Sequence, residues 1–228
     1  QTAGVEISTM NEVREALAKR IDYFASMGCR TADHALPRIV YREAEEYELD
    51  DIVGRVINSK GAPTQEEIEK YQTAVLRFLG KKYAERGWVM QLHYGILRDM
   101  NSKMAAGLGS GAGCDCISSS NDGKGLASLL DLLSREEALP KMIVSSMNPS
   151  DQIVIGSILG AFRSSAARPV VVDQPDAARH PRADWLHGEP RHNRHGGRLL
   201  DGCAQRAVLA APRVLPSHLL RCAGLARR

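Results

Sequence analysis

An apolar run, Val89-Met-Gln-Leu-His-Tyr-Gly-Ile-Leu-Arg98, delivers an imidazole at His93 and then a guanidinium at Arg98. Imidazole can ligate a metal or move protons near neutral pH. A guanidinium can clamp a carboxylate or phosphate through two parallel hydrogen bonds. The pair is the beginning of a site for a charged small molecule. The other histidine before residue 166 is His34, and it follows Asp33. A hydrogen-bonded structural residue is the plain alternative for either histidine, and a surface salt bridge the plain alternative for Arg98.

These residues need elements to position them. Residues 11–27 carry apolar side chains at helical spacing, and Gly28 ends the pattern in the manner of a C-terminal cap. A strand-like segment over 29–34 follows, then a more acidic helical stretch over 41–58. Thr64-Gln-Glu-Glu67 has capping-box spacing and opens a long helix through Ala84. Residues 88–92 are too short and too apolar for a surface helix and read as a buried strand, with His93 at its C-terminal end and Arg98 on the loop beyond. A Gly/Ser-rich loop over 107–120, a helix near 125–135, a strand at 141–146 and a helix over 149–162 with Pro149 in its first turn complete the pattern.

Alternating strands and helices imply an α/β fold with parallel strands covered by helices, either a doubly wound sheet or a (β/α)8 barrel. In both, ligands bind at the C-terminal ends of strands, where Asp33, His34, His93 and Asn148 fall. Other motifs are weaker. Gly107-Leu-Gly-Ser-Gly-Ala-Gly113 lacks the Gly-Lys-Ser/Thr ending of a phosphate loop. Cys114-Asp-Cys116 has no second ligand pair nearby to complete a zinc site. Glu43, Glu45, Glu46, Glu48, Asp50 and Asp51 read as a solvated helix face.

The 228 residues carry 30 basic and 27 acidic side chains, but this average joins two unlike pieces. From Ala166 onward there are 11 Arg, 5 His, 6 Pro and 11 Ala, with no Lys, Ile, Phe, Tyr, Met or Thr. The body carries 19 basic and 22 acidic residues, a charge of −3, whereas the tail is at +6. No run reaches the ~18 apolar residues of a membrane span, and the start lacks the order of a signal peptide. Five cysteines without a regular framework fit a reducing compartment, so the expected location is cytoplasmic. The chain begins at Gln1 and runs directly into a helix pattern, so an upstream part is expected.

Arg20-Ile-Asp-Tyr-Phe24, Gly28-Cys-Arg-Thr-Ala-Asp-His34, Met90-Gln-Leu-His-Tyr-Gly-Ile-Leu-Arg98, Leu139-Pro-Lys-Met-Ile143 and Met147-Asn-Pro149 occur in this order. Over roughly residues 5–163 the chain closely resembles part of the second half of uronate isomerase (glucuronate isomerase), of the amidohydrolase superfamily. The resemblance implies a segment of a (β/α)8 barrel and interconversion of aldose and ketose uronates, glucuronate with fructuronate and galacturonate with tagaturonate. It assigns Arg98 to the substrate carboxylate and His93 to substrate binding, with His93 also the candidate metal ligand. Asp33 and His34 become the catalytic candidates. A divalent metal, zinc foremost, is implied for the complete site, along with a hexuronate substrate, no membrane or nucleic-acid partner, and room for a homo-oligomer. The family's His-x-His pair and Asp-x-Arg motif are not found in residues 1–165, so this chain is expected to be inactive as written. The alternatives are a metal-dependent hydrolase of the same superfamily and a non-catalytic chain whose basic tail binds nucleic acid.

The tail has the composition that a GC-rich gene yields in a wrong frame. Codons chosen for Val170-Val-Val-Asp-Gln174 and read one base later can spell Trp-Trp-Ser-Ile-Asn, and residues 197–205 and 214–222 likewise yield family-like segments in order. Residues 1–165 are therefore expected to be part of a uronate isomerase barrel. Residues 166–228 are expected to be an out-of-frame tail without a native fold, the break lying near 164–168.

Overall fold

The computed structural model describes residues 3–109, 113–119 and 123–162, and the backbone of 170–171. Thr9 opens α1 (Met10–Ser26) through a reciprocal cap: its hydroxyl accepts from the Glu12 amide, and the Glu12 carboxylate accepts from the amides of Ser8 and Thr9. Met10, Val13 and Ile21 form the buried stripe of this helix. Gly28, at φ +86°, reverses the chain into β1 (Thr31–Ala35).

Helix α2 (Glu46–Ile57) starts later than the pattern over 41–58 suggests. The Glu45 amide donates to the Glu48 carboxylate, fixing the start there, while the Arg42 amide upstream donates to the Thr73 hydroxyl. That tie holds residues before 46 against the next helix. Helix α3 (Gln65–Glu85) begins at the capping box of Thr64 and Glu67 that the sequence announces. Its inner face, Val75, Leu76, Leu79 and Tyr83, covers the sheet.

Strand β2 (Val89–Tyr94) is followed by β3 (Ile96–Leu97), α4 (Ser102–Leu108) and β4 (Cys116–Ile117). β3 and β4 pair antiparallel as a small ribbon. A two-residue ladder and a seven-residue helix with no buried side chain leave no periodic signal, so a sequence reading sees only a glycine-rich loop there. Helix α5 (Lys124–Arg135), β5 (Lys141–Ser146) and α6 (Asp151–Ala161) follow. Pro149 lies before α6 instead of within its first turn, because the Asp151 and Gln152 amides bond back to the carbonyls of Asn148 and Pro149.

The main sheet runs β1-β2-β5-β6, all parallel, where β6 (Val170–Val171) pairs with Ile143 and Val144. Strand order follows chain order without reversal. A doubly wound sheet reverses its strand order at a switch point; a barrel winds in one direction. The core draws on Ala32, Met90, Leu92, Tyr94, Met142 and Val144 from the strands, all of one alternation, together with all the major helices. The helices therefore cover one face, as on the outside of a barrel wall. Val170–Val171 adds a strand just inside the segment expected to lack native fold; the rest of the tail lies outside the described residues.

Candidate active site

Alternation along the strands decides which side chains can meet a ligand. In register, Asp33 lies beside Gln91, Ala35 beside His93, and His93 beside Ser145. These residues share the face away from the helices. There Asp33 Oδ1 and His93 Nδ1 approach to 2.8 Å across adjacent strands, with side chains 35% and 23% exposed. The pair is ordered but reachable. A carboxylate only accepts, so the neutral imidazole carries its proton on Nδ1 and presents the lone pair of Nε2. That is how a carboxylate orients a metal-bound or proton-accepting histidine. The His93 carbonyl also accepts from the Leu36 amide at 2.9 Å, which ties the ends of β1 and β2 together.

His34 is on the other face. It is fully buried, its Nε2 is 3.2 Å from the Tyr83 hydroxyl, and its ring lies 5.8 Å from the Tyr83 ring, which in turn stacks on Trp88. The expectation that His34 lines the pocket beside Asp33 overlooks the alternation: consecutive strand residues point to opposite faces. Burial, then Cys29, holds the Tyr83 hydroxyl above its ordinary pKa, keeping it a neutral partner for this imidazole.

Arg98 follows β3 at the C-terminal end of β2. Its Nη1 donates to Asp115 Oδ2 at 2.5 Å, and Asp115 Oδ1 accepts from the Asp99 amide at 2.9 Å. The guanidinium is 37% exposed, so an incoming carboxylate could share it with Asp115. The ribbon is anchored to the neighbouring strand end: Asn148 Nδ2 donates to the Ser118 carbonyl at 3.1 Å, and the Ser118 amide to the Gly95 carbonyl at 2.9 Å. Asn148, one of the strand-end residues picked out in the sequence, therefore supports the ribbon that carries Arg98. Asp115 was legible only as the centre of a Cys-x-Cys motif, because its 17-residue separation from Arg98 carries no local signal. Gln91 and Ser145 could have been found by stepping two residues along β2 from His93, or across to β5.

Among the described residues no three His, Cys, Asp or Glu side chains converge as a metal centre requires. The donor set here amounts to one imidazole nitrogen, His93 Nε2, oriented by Asp33; it fits one ligand of a metal completed by other residues. Several of the acidic side chains of 43–51 are engaged: Glu46 with Arg14, Glu48 with Lys70, Asp51 with Arg55, and Asp50 with the Met10 amide. Beside them, on the helix side, lies a cavity of about 460 Å³ lined in part by Arg14, Lys70, Arg77 and Lys81. No helix among the described residues is long and apolar enough to cross a membrane.

Comparison with known proteins bears on the fold and the family. The glucuronate isomerase family profile matches residues 1–173. The uronate isomerase of Bacillus licheniformis is 39% identical over 185 residues, covering 81% of this chain and 37% of the relative. That of Serratia proteamaculans is 42% identical over 161 residues, covering 71% and 34%. The chain thus spans little more than a third of the length of these relatives. The crystal structure of uronate isomerase from Thermotoga maritima superposes with a TM-score of 0.66 at 27% identity, over 74% of this chain and 36% of that one. Glucuronate isomerase from Caulobacter crescentus, at 22% identity and a TM-score of 0.59 over 66% and 31%, shares the fold. The singly wound sheet is accordingly an arc of a (β/α)8 barrel, and the chain belongs to the uronate isomerase family.

Proposed function

We propose that residues 1–165 form one wall of a uronate isomerase active site, in a protein that acts on D-glucuronate and D-galacturonate in the cytoplasm. The observation that carries this reading is the Asp33–His93 pair on the exposed face of a singly wound parallel sheet, with Arg98 at the same strand end. Aldose–ketose isomerisation moves a proton between adjacent carbons through an enediol-like intermediate, which requires an acid-base group and something to hold the two oxygens. Arg98 takes the substrate carboxylate, releasing part of its contact with Asp115, and so sets which end of the sugar faces His93. Asp33 holds the His93 ring so that Nε2 faces the ligand. His93, possessing an orienting carboxylate, is the group in this wall able to ligate or to move a proton. A divalent metal, zinc by expectation, would be held in part by His93 Nε2 and would supply positive charge to the substrate oxygens. His34 acts through the fold only.

Residues beyond about 166 are read as out of frame. Their composition supports this; the family profile itself runs past the proposed break, to residue 173, and the Bacillus licheniformis match covers 81% of the chain. The 228-residue chain is then inactive by itself, lacking the His-x-His and Asp-x-Arg motifs.

Titration of the chain with D-glucuronate, followed by NMR at the Arg98 guanidinium and the His93 ring, tests the reading. Glucuronate should shift both, and D-glucose, lacking the carboxylate, should shift neither. An equal response to the two sugars, or none to glucuronate, would reject Arg98 as the carboxylate clamp.

A further inference from the structure

Behind the β3/β4 ribbon lies a buried polar chain that the isomerase reading does not use. Asp151, in the first turn of α6, is 1% exposed, and Ser146, the last residue of β5, is 2% exposed. The Ser146 hydroxyl donates to Asp151 Oδ2 at 2.6 Å and accepts from the Asn148 amide at 3.1 Å. Asn148 Oδ1 accepts from the Ser150 amide, and its Nδ2 reaches the Ser118 carbonyl at the end of the ribbon. The Met147 amide donates to the Tyr94 carbonyl at 3.0 Å. Three of these links tie the turn after β5 to itself and to the start of α6; the Met147–Tyr94 bond joins it to the strand end of β2, and the Asn148–Ser118 bond to the ribbon.

A steric link runs beside the polar one. Gly95 separates β2 from β3 at φ +84°, and a Cβ placed there would lie 2.6 Å from the Ser146 Oγ and 3.4 Å from the Met147 amide nitrogen. The Ser146 hydroxyl thus occupies the space that any side chain at 95 would need. A hydroxyl can stay there only with its own bonds satisfied, and Asp151 and the Asn148 amide satisfy them. Packing of Gly95 onto that hydroxyl sets where β3 departs, and β3 leads directly to Arg98.

We propose that Asp151 and Ser146 are positioning residues for the anion site: they lock the turn at Asn148 against Gly95 and so fix the ribbon that presents Arg98 and Asp115. The inference rests on the isomerase reading for what Arg98 binds, but not for the lock itself. Loss of the Asp151 acceptor frees the Ser146 hydroxyl to rotate, the Asn148 turn loosens, and the ribbon loses its tie at Ser118. The ribbon is susceptible because α4 within it buries no side chain and two residue pairs make up its ladder.

Backbone amide hydrogen exchange on the full 228-residue chain tests this. Asp151→Leu, which removes the acceptor, should raise exchange at Ser118 and Met147 at least about tenfold, with α1 and α3 amides unchanged. Asp151→Asn retains an acceptor oxygen and should return those amides to within about threefold of the parent. Should Asp151→Leu unfold the chain, Ser146→Ala, a smaller change, is read by the same criterion: exchange faster at Ser118 and Met147 alone. No increase at these amides, an increase equal across the sheet and helices, or equal effects of Asn and Leu at 151 would overturn the proposal. Glucuronate titration of the same samples is scored separately. If the parent does not bind glucuronate but the exchange pattern holds, the isomerase reading fails and the lock stands; the reverse result removes the lock alone.

Discussion

Asp33 Oδ1 lies 2.8 Å from His93 Nδ1, a contact between side chains 60 residues apart in the chain that sit on adjacent parallel strands. The register that brings Ala35 beside His93 produces it, and it commits the neutral imidazole to one tautomer. Nitrogen NMR of the chain should find the neutral form of the His93 ring protonated at Nδ1. Asp33→Leu should return it mainly to the Nε2–H form favoured in water. An Nε2–H tautomer in the parent would contradict the orienting role of Asp33.

His34 and Tyr83 make the corresponding contact on the covered face, where its effect is on stability. Tyr83→Phe should cost about 1 kcal/mol by removing one buried hydrogen bond. His34→Ala should cost about 2–4 kcal/mol, because it leaves a void beside the Tyr83–Trp88 stack and deprives the phenol of a partner. Urea unfolding measures both. A His34→Ala chain as stable as the parent would show that this stack does not carry the load assigned to it.

The acid limb of stability should come partly from helix caps. The Ser8 hydroxyl, followed by the Ser8 and Thr9 amides, holds the Glu12 carboxyl down to about 2 from an ordinary 4.5. Glu48, Glu67 and Glu136 are lowered as well, chiefly by hydrogen bonds from Lys70, Arg55 and Arg77. A carboxyl whose pKa is depressed by folding adds stability above its unfolded value and loses it as pH falls through the folded one. The Tm of the chain should therefore fall between about pH 4.5 and pH 2. Glu12→Gln should lower Tm near neutral pH, and the gap to the parent should close towards pH 2. A gap independent of pH would argue against the cap as its source.

Much of this arrangement could be read before the structure. The Thr64 capping box, the Gly28 stop and the apolar runs at 88–92 and 141–146 reach the page through local chemistry: one side chain bonding its own helix start, or a period of apolar residues. His93 was found because it ends such a run. What escaped was decided by pairing between distant segments. Asp33 and His34 are adjacent in sequence, and strand alternation sends them to opposite faces; pairing of β1 on β2 then sets Asp33 against His93, while His34 meets Tyr83. Arg98 and Asp115 meet because the ribbon folds back, and Asp151 reads as an ordinary first-turn helix residue until Ser146 is placed against it.

The proposed frame break makes a prediction about the gene. Sequencing of the DNA across the codons for residues 164–168 should reveal a one-base insertion or deletion relative to a working relative. Restoring the frame should convert the Arg-, Ala- and Pro-rich tail into sequence that aligns with the uronate isomerases and extends the family-profile match past residue 173. A single intact frame with no indel would contradict it.

Turnover of D-glucuronate tests the central claim most directly, in a protein where residues 1–165 replace the matching segment of the Bacillus licheniformis uronate isomerase. The account predicts measurable formation of the ketose. It also predicts that Arg98→Met raises KM for glucuronate by at least about tenfold while kcat changes less, as loss of a contact made equally in ground and transition states requires. A folded protein without turnover, or an Arg98→Met variant with an unchanged KM, would contradict it.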